Sequence, residues 1–259
     1  MPKIYDTFLF FNELDLLEIR FNILNDYVDY FVIGECINTF TGNKKPLYFK
    51  ENKARFSKFH DKIIYVEIPP KNFKKAWDND FYQRNYLIKG LKNAKLNDVI
   101  HLSDLDEIPN PDALKYILPI IENDIFSLNQ FLFYYYLNNL SLEKWNRAKV
   151  FRLGSIKNFD LQTIRDLEIN KLLKCWYVEN GGWHFSYLGG SEKIKYKIKS
   201  FAHQEFNKKE YLDNIEENMK KDNQDIFNRF SKFVKVKVRK DIYPKWLVEN
   251  KDKYQHLIK

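Results

Sequence analysis

Short apolar segments alternate with amphipathic helical patterns through the first part of the chain. Asn12 is the predicted N-cap of the first helix, just before its apolar stripe. Strands that alternate with helices form βαβ units, and such units build a mainly parallel sheet. The pattern therefore predicts an α/β protein in which a mainly parallel central sheet is flanked by helices. The predicted strands cover residues 4–11, 30–34, 63–66 and 99–102, and the predicted helices cover residues 16–24 and 77–91.

The fourth predicted strand runs directly into a concentrated acidic motif, Asp104-Leu105-Asp106-Glu107-Ile108-Pro109. In an extended segment successive side chains alternate between faces, so Asp104 and Asp106 are expected to project the same way. Carboxylate oxygens suit Mg²⁺ and Mn²⁺, and open α/β sheets bind ligands at the C-terminal ends of their strands. The motif therefore indicates a metal site. The alternative is an acidic turn that caps a helix beginning near Pro111.

Charge and cysteine content narrow the class of function. The formal net charge is +8, but lysines spread along the chain supply most of it, and acidic residues lie between them. No arginine-rich run or nucleic-acid motif accompanies this charge, so we expect no nucleic-acid partner. Cys36 and Cys175 are far apart and lack metal-ligand spacing, as expected of free thiols in a reducing compartment. The apolar patch 8–11 is too short for a signal peptide or a membrane span, which predicts a cytoplasmic protein.

The second half of the chain has a different pattern. Residues 125–138 are rich in Phe and Tyr and predict a strand or a strand pair, and glycine pairs bracket the segment 181–190. No repeat or low-complexity linker divides the chain. We therefore predict a single domain, residues 1–259, with a nucleotide-binding half at 1–110 and an acceptor half at 111–259. Three helices and one lysine-rich strand are predicted late in the chain, at residues 191–201, 208–219 and 245–258 and at residues 233–238.

Five further side chains are candidates for chemistry, each with an ordinary structural alternative. His184 suits a metal or a phosphate and Trp183 could stack on a sugar ring, whereas the alternative is a Trp–His pair in the core. His203 and Glu205 could provide a further ligand and a general base, or simply end a helix. Arg84 suits a diphosphate, because a guanidinium binds phosphate through two hydrogen bonds; the alternative is a surface salt bridge.

Four blocks of the sequence together resemble glycosyltransferase family 17, the family of the enzyme that adds the bisecting N-acetylglucosamine to N-glycans. A tail element at residues 243–247 is similar to the family as well. Each block alone is short, but in this order the blocks extend through nearly the whole chain. They are residues 13–21 (ELDLLEIRF), 28–35 (VDYFVIGE) with the loop 41–47 (TGNKKPL), 104–109 (DLDEIP) and 182–186 (GWHFS).

The resemblance implies a GT-A-like, nucleotide-sugar-binding fold, a divalent cation and inversion at the anomeric carbon. The donor it implies is a UDP-sugar, which is UDP-N-acetylglucosamine in the animal enzyme. Asp104 and Asp106 would hold Mn²⁺ or Mg²⁺, with His184 placed ahead of His203 as a further ligand of the metal or of phosphate. Inversion in one displacement needs a carboxylate base, for which Glu205 is the first candidate and Glu107 the second.

Other residues are expected to contact the donor. By the same resemblance, Arg84 and Lys45 would meet the diphosphate beside the metal-binding Asp104. Glu35 and Thr41 would lie near the nucleoside. Trp183, in the fourth block, would stack on the sugar.

The expected partners are a nucleotide-sugar donor and a saccharide acceptor, either a glycan or a lipid-linked saccharide. Animal members of the family carry an N-terminal membrane span and stem, whereas this sequence begins at its first strand. It therefore resembles a stand-alone catalytic domain of a microbe or virus. The lysine-rich segment 232–245 could contact the inner face of a membrane, although a solvated strand has the same composition. The competing class is a carbohydrate- or nucleotide-binding module in which the acidic motif is structural.

Overall fold

The computed structural model describes residues 2–71, 73–167, 174–221, 225–227, 229 and 232–259. In the first half, strands and helices alternate as predicted, because short apolar runs form buried strands and longer amphipathic stretches form helices. In chain order the elements are β1 (Ile4–Leu9), α1 (Leu14–Leu24), β2 (Tyr30–Cys36), α2 (Tyr48–Asn52), β3 (Ile63–Ile68), α3 (Ala76–Tyr86) and β4 (Val99–Asp104), with 3₁₀ turns at Lys53–Lys62 and Leu87–Leu91.

The second half contributes further strands and a group of short helices. Its elements are β5 (Glu107–Pro109), α4 (Pro111–Ile117), β6 (Ile125–Tyr134), β7 (Asn139–Trp145), β8 (Lys149–Arg152), α5 (Leu161–Arg165), β9 (Cys175–Ser186), α6 (Ser191–Ser200), α7 (Lys209–Asp213), α8 (Ile215–Lys221), β10 (Phe233–Lys235) and α9 (Lys245–Glu249), with 3₁₀ turns at Leu153–Ile156, Gln204–Phe206 and Lys251–Leu257.

The strands of both halves belong to one twisted sheet. β3, β2, β1 and β4 lie side by side in that order and run parallel. Beyond β4 the sheet continues through β8, β6, β7 and β10, each antiparallel to its neighbour. The long strand β9 pairs in parallel with β6 and antiparallel with β5. The predicted α/β class, with a mainly parallel central sheet flanked by helices, is confirmed.

The connections of the parallel strands reverse their direction of travel between β1 and β4. From β1 the chain moves outward to β2 and β3, and it then returns to place β4 on the other side of β1. Open α/β sheets bind ligands beyond the C-terminal ends of their strands at such a switch point. Leu9 at the end of β1 is in register with Asp104 at the end of β4. The topology therefore delivers the acidic motif to this position.

Apolar residues cover both faces of the parallel strands. On one face Phe21 of α1 packs against Phe31 of β2, with ring centroids 4.5 Å apart. On the other face Val32 belongs to a second buried cluster that includes Leu87 and Ile100. Because adjacent residues of a strand point to opposite faces, Phe31 and Val32 contribute to different layers. This arrangement fixes the strand ends that surround the site.

Arg20 of α1 is a fully buried cation next to the acidic motif. Its guanidinium donates to both oxygens of Asp6 in β1, at 2.8 and 2.6 Å. The Nη1 atom of Arg20 also donates to the main-chain carbonyls of Asp104, Leu105 and Glu107, at 2.8, 2.9 and 3.1 Å. A single side chain therefore ties the first helix, the first strand and the backbone of the acidic motif together.

The start of α1 differs from the prediction. The residue preceding the helix is Glu13 rather than Asn12, and its side chain does not cap the helix. Instead, the carboxylate of Glu13 accepts a hydrogen bond from the backbone N–H of Asn12 at 3.0 Å. The predicted N-cap at Asn12 is therefore wrong by one residue, and Glu13 points toward the site described below.

Three late elements are shorter than predicted. The stretch 208–219 forms two helices, α7 and α8, and the strand predicted at 233–238 ends at Lys235. The final helix ends at Glu249, because Asn250 leaves helical geometry and its side chain donates to the carbonyl of Trp246 at 2.8 Å. No helix in the described part of the chain has the length and apolar character needed to cross a membrane.

We expect Arg20→Met to lower the free energy of unfolding by about 3–5 kcal/mol, because removing one partner of a buried ion pair leaves an uncompensated charge at Asp6. Urea denaturation followed by circular dichroism measures this change. Arg55→Met is the matched control, since Arg55 pairs with Asp15 and Glu18 of the same helix at the surface and should cost at most about 1 kcal/mol. Equal losses in the two variants would contradict the role of Arg20.

Candidate active site

A cleft of about 560 Å³ lies at the C-terminal ends of β1 and β4. Its lining comes from the loops after β1, β2 and β4, from α3, α5 and α6, and from β6, β7 and β9. Its titratable lining residues are Glu13, Lys45, Asp80, Arg84, Asp104, Asp106, Glu107, Tyr134, Arg147, Arg165, Asp166, His184, Tyr187, Lys197, His203 and Arg229.

Asp104 lies between two buried guanidinium groups. Arg84 of α3 donates to Oδ1 at 2.7 Å, and Arg165 of α5 donates to Oδ2 at 2.6 Å. Arg84 also binds Asp80, one turn earlier on α3, at 2.9 Å. Burial alone would raise the pKa of Asp104, but Arg165 and Arg84 hold that pKa below its usual range. Asp104 is therefore an anion at neutral pH, with 38% of its side chain still exposed.

Glu107 is buried behind Asp104 and is fully engaged. Arg165 donates to both of its oxygens at 2.7 Å, the indole N–H of Trp145 donates to Oε1 at 2.5 Å, and the backbone N–H of Asp104 donates to Oε2 at 2.9 Å. Burial alone would raise the pKa of Glu107, but Arg165 lowers it to about 2. This placement gives Glu107 a structural role in holding Arg165 and Trp145, and it disfavours the predicted role as catalytic base.

Asp106 points to a different cation. Its Oδ2 accepts a hydrogen bond from Lys197 of α6 at 2.9 Å, and Nε2 of His184 lies 3.6 Å from the same oxygen. Lys197 also binds Glu13 at 3.2 Å. Burial opposes ionisation of Asp106, but Lys197 and His184 outweigh it and place the pKa far below the ordinary value. The ammonium of Lys197 therefore joins the acidic motif to the loop after β1.

The acidic motif is not a continuous strand, contrary to the expectation. β4 ends at Asp104 and β5 begins at Glu107, with a turn between them. Arg20 stabilises the turn, because it binds the carbonyls of Asp104, Leu105 and Glu107, and an extended strand would direct the carbonyls of adjacent residues to opposite sides. Asp104 and Asp106 nevertheless both line the cleft.

Of the other predicted donor contacts, Lys45 lies inside the cleft, whereas the two predicted nucleoside contacts, Glu35 and Thr41, lie outside it. Lys45 lines the cleft, with its ammonium 3.5 Å from Glu35. Glu35 is fully buried and accepts hydrogen bonds from the backbone N–H of Phe49 and the hydroxyl of Tyr65, both at 3.0 Å, so it anchors α2 to the sheet. Neither Glu35 nor Thr41 belongs to the cleft lining, which instead includes Asn38 and Thr39 of the same loop.

Trp183 and His184 face opposite sides of β9. Trp183 is buried in the main hydrophobic core, and its indole N–H donates to the carbonyl of Ile242 at 2.6 Å. Sugar stacking by Trp183 is therefore wrong, because the alternation along a strand sends its ring into the core. His184 lines the cleft, and its Nδ1 has no hydrogen-bond partner among the described residues.

His203 and Glu205 lie at the rim. Nδ1 of His203 is 2.6 Å from Oε1 of Glu205, and His203 packs edge-on against Trp77 with ring centroids 4.4 Å apart. His203 and Trp77 line the cleft, whereas Glu205 does not. The side chain of Glu205 is 54% exposed. The structure thus places the first predicted base outside the cleft.

The residues of the site that escaped the sequence reasoning include Glu13, Trp145, Arg165, Asp166 and Lys197. Glu13 opens the first block of the family resemblance, which is the one signal that could have identified it. Lys197 is one of four lysines in α6, and only packing shows which of them faces the cleft. Arg165 and Asp166 lie in a segment without any motif. Only the contacts that they make in the folded structure identify them as residues of the site.

The charges and ligand atoms of the cleft show whether it suits a divalent cation. Among the described residues no group of three or more His, Cys, Asp and Glu side chains is already arranged to hold a metal. A Mg²⁺-type ion commonly needs only one or two carboxylates, with water and substrate phosphate completing its shell. Asp104, Asp106 and His184 supply such donors in one cleft. Among the described residues, the six carboxylates of the lining are matched by six lysines and arginines, so the lining carries no net positive charge that would repel a cation. The carboxylates are Glu13, Asp80, Asp104, Asp106, Glu107 and Asp166, and the bases are Lys45, Arg84, Arg147, Arg165, Lys197 and Arg229.

Comparison with known proteins establishes the family. The model of glycosyltransferase family 17 matches residues 1–259, so the chain belongs to that family. It is 35% identical over 115 residues to the beta-1,4-mannosyl-glycoprotein 4-beta-N-acetylglucosaminyltransferase of Homo sapiens, a match that covers 41% of this chain and 22% of the human protein. The Rattus norvegicus protein of the same name is also 35% identical, with 41% of this chain and 21% of the rat protein covered. The match thus spans about a fifth of these relatives.

Solved structures give weaker matches. A 4-diphosphocytidyl-2C-methyl-D-erythritol synthase superposes with a TM-score of 0.43 and 9% identity, covering 68% of this chain and 90% of that one. HddC from Yersinia pseudotuberculosis also has a TM-score of 0.43, with 8% identity and coverage of 70% and 92%.

Glu107 predicts a pH dependence of stability. Its pKa is about 2 when folded and 4.5 ordinarily, so its ion pair stabilises the fold above pH 4.5, and that contribution disappears as the pH falls toward 2. We expect Glu107→Gln to reduce the acid-induced loss in free energy of unfolding over this range, as measured by urea titrations at successive pH values. Glu143→Gln, an exposed change on β7, should leave the profile unaltered. A wild-type profile in Glu107→Gln would refute the assignment.

Proposed function

We propose that this protein is a metal-dependent inverting glycosyltransferase that transfers N-acetylglucosamine from UDP-N-acetylglucosamine to a saccharide acceptor. Family membership supports the reaction class, and the relatives' names supply the sugar. The observation that carries the proposal is the position of the acidic motif. It lies at the switch point of a parallel sheet, in a cleft of about 560 Å³ that is large enough for a nucleotide sugar.

The chain's own cations suit the diphosphate of the donor. Arg84 and Arg165 are held rigid by Asp104 and Glu107, and each presents a planar set of donors near the cleft. Lys45 and Lys197 line the same cleft. Such preorganised cations stabilise negative charge that develops on a leaving UDP.

Asp104 and Asp106 would hold the divalent cation, with His184 as a further ligand. When bound, that ion neutralises the diphosphate and stabilises the leaving group. Lys197 donates a hydrogen bond to Asp106. When the divalent cation binds, the ammonium of Lys197 must therefore share the carboxylate with that cation or move away from it. The turn that Arg20 fixes keeps both aspartates in the cleft in either case.

For the acceptor and its location we propose a glycan or lipid-linked saccharide processed in the cytoplasm at the inner face of a membrane. The lysine-rich stretch that begins at the end of β10 supports this location, because residues 235, 237, 239 and 240 have exposed basic side chains.

Sedimentation with vesicles of anionic lipid tests the proposed membrane contact. We expect binding at low salt that is lost at about 0.5 M salt, because the Debye length then falls well below ~10 Å. Absence of binding at low salt would contradict the proposed membrane contact.

A nucleotide- or carbohydrate-binding module is the second candidate, favoured by one observation. Each carboxylate of the acidic motif already has a cationic partner, as expected if the motif only stabilises the fold. The two functions are separated by incubating a panel of nucleotide sugars with the protein and Mn²⁺. Release of UDP from UDP-N-acetylglucosamine that EDTA abolishes supports the transferase, whereas release from no donor supports the module.

We expect Asp104→Ala and Asp106→Ala each to lower Mn²⁺-dependent UDP release by about a hundredfold or more, since a catalytic metal contributes several kcal/mol to charge stabilisation. Initial rates with UDP-N-acetylglucosamine measure this loss, and circular dichroism checks the fold. Asp112→Ala is the matched control, because Asp112 follows the motif but is exposed on α4. Retention of wild-type rates in either motif variant would contradict the proposed site.

A further inference from the structure

We propose that the acceptor sugar stacks on Trp145 and that Asp166, rather than Glu205 or Glu107, is the base that removes the proton from its attacking hydroxyl. This inference rests on the proposed transferase function and names the acceptor half of its site. The occupant it requires is a pyranose with one apolar face and a free hydroxyl at its edge. Three features of the cleft support it, namely the partners of the carboxylates, the orientation of Asp166 and the half-buried indole of Trp145.

The carboxylates of the cleft differ in their freedom to accept a proton. In the described part of the chain, the other cleft carboxylates are bound to a lysine or arginine at 3.2 Å or less. Asp166 is distinct, because its nearest basic partner, Arg147, is 3.7 Å away and 52% of its side chain is exposed. A general base must reach its substrate hydroxyl directly, and Asp166 combines exposure with a position in the cleft lining.

Asp166 is nevertheless fixed in orientation by the donor half of the site. The amide nitrogen of Gln162 donates to Oδ2 of Asp166 at 2.6 Å, while the amide oxygen of Gln162 accepts from Nε of Arg84 at 2.6 Å. Arg84 in turn binds Asp104. This amide leaves Oδ1 on the side of Arg147 and links the carboxylate, through Arg84, to the acidic motif by three successive hydrogen bonds. Gln162 is therefore a positioning residue.

Trp145 supplies a platform in the same cleft as this carboxylate. Its indole N–H is fixed on Glu107, which Arg165 also binds, and Asp166 follows Arg165 in the chain. The ring lines the cleft, is only half-buried and packs against His184 with centroids 4.7 Å apart. An indole held at one edge and open on a face is well suited to the apolar face of a sugar.

The chemistry of the step balances without a further reactant. The acceptor oxygen forms a bond to the anomeric carbon while the bond from that carbon to the diphosphate oxygen breaks. The electron pair of the broken bond leaves with UDP, and the hydroxyl proton passes to Asp166. Attack from the face opposite UDP inverts the anomeric carbon.

The test compares Asp166→Asn with Asp160→Asn. Asp160 caps the same helix through its bond to the backbone N–H of Thr163, and Asn is an equally good cap, so this control keeps the helix and the cleft. The assay measures kcat for UDP release from UDP-N-acetylglucosamine, with water and with a panel of methyl glycosides as acceptors. Titration calorimetry of UDP reports whether the donor site is intact.

We expect Asp166→Asn to lower kcat by about 10²- to 10⁴-fold and to change the Kd of UDP by less than about twofold. The fall in wild-type activity at low pH should be absent from its residual activity and should return in Asp166→Glu. Asp160→Asn should behave as wild type.

Three outcomes would overturn the inference. If Asp166→Asn keeps more than about a tenth of kcat with a wild-type pH profile, Asp166 is not the base, although the transferase proposal stands. If it loses UDP binding along with activity, Asp166 has a structural role. If the wild-type protein releases UDP from no nucleotide sugar under any condition, the transferase proposal itself fails and the acceptor site fails with it.

Discussion

The buried contact between Arg20 and Asp6 is the interaction on which the site depends. Burial would raise the pKa of Asp6, but Arg20 and His101 lower it to about 2, so the pair stays ionised in the interior. Because the same guanidinium also collects the carbonyls of the acidic segment, the charge that secures β1 also shapes the turn after β4. The two strands of the switch point are thereby joined at their functional ends.

Above this turn, the acidic motif and its cations form one connected network. Arg165 bridges Asp104 and Glu107, Arg84 bridges Asp104 and Asp80, and Gln162 extends the network to Asp166. Buried ion pairs contribute little net stability, but they hold their members in fixed positions. In this protein they fix charged groups around a large cleft, which is the preorganisation that stabilising a departing diphosphate requires.

The sequence predicted the fold more fully than the site. Apolar runs and helical stripes identified the four parallel strands and α1, because each of these elements is stabilised mainly by burial of its own pattern. Among the predicted site residues, the acidic motif, Lys45, Arg84, His184 and His203 line one cleft, whereas Glu35 and Thr41 do not, and the roles given to them stay predictions. Trp183 was assigned to the site because the residue pattern does not show which face of β9 packs against the core. Asn12 was predicted as the N-cap of α1, but Glu13 precedes the helix and its carboxylate binds the backbone N–H of Asn12.

Residues supplied by the second half could not be predicted for a different reason. Arg165 and Lys197 are held in the cleft by contacts distant in the chain, since Arg165 binds Asp104 across a separation of 61 residues and Lys197 binds Asp106 across 91. Asp166 follows Arg165 into the same cleft. No sequence motif distinguishes these residues from their neighbours in the chain, which have similar polarity. Only the complete sheet, which carries β9 and α5 back to the end of β4, brings them together.

Titration calorimetry of UDP and of uridine, each with and without Mn²⁺, tests the central claim that this cation-lined cleft binds a nucleoside diphosphate. Our account predicts that UDP binds at least about tenfold more tightly than uridine and that Mn²⁺ strengthens UDP binding alone, because only UDP carries the phosphates that the cations and the metal recognise. Equal affinities for UDP and uridine, unaffected by Mn²⁺, would contradict it.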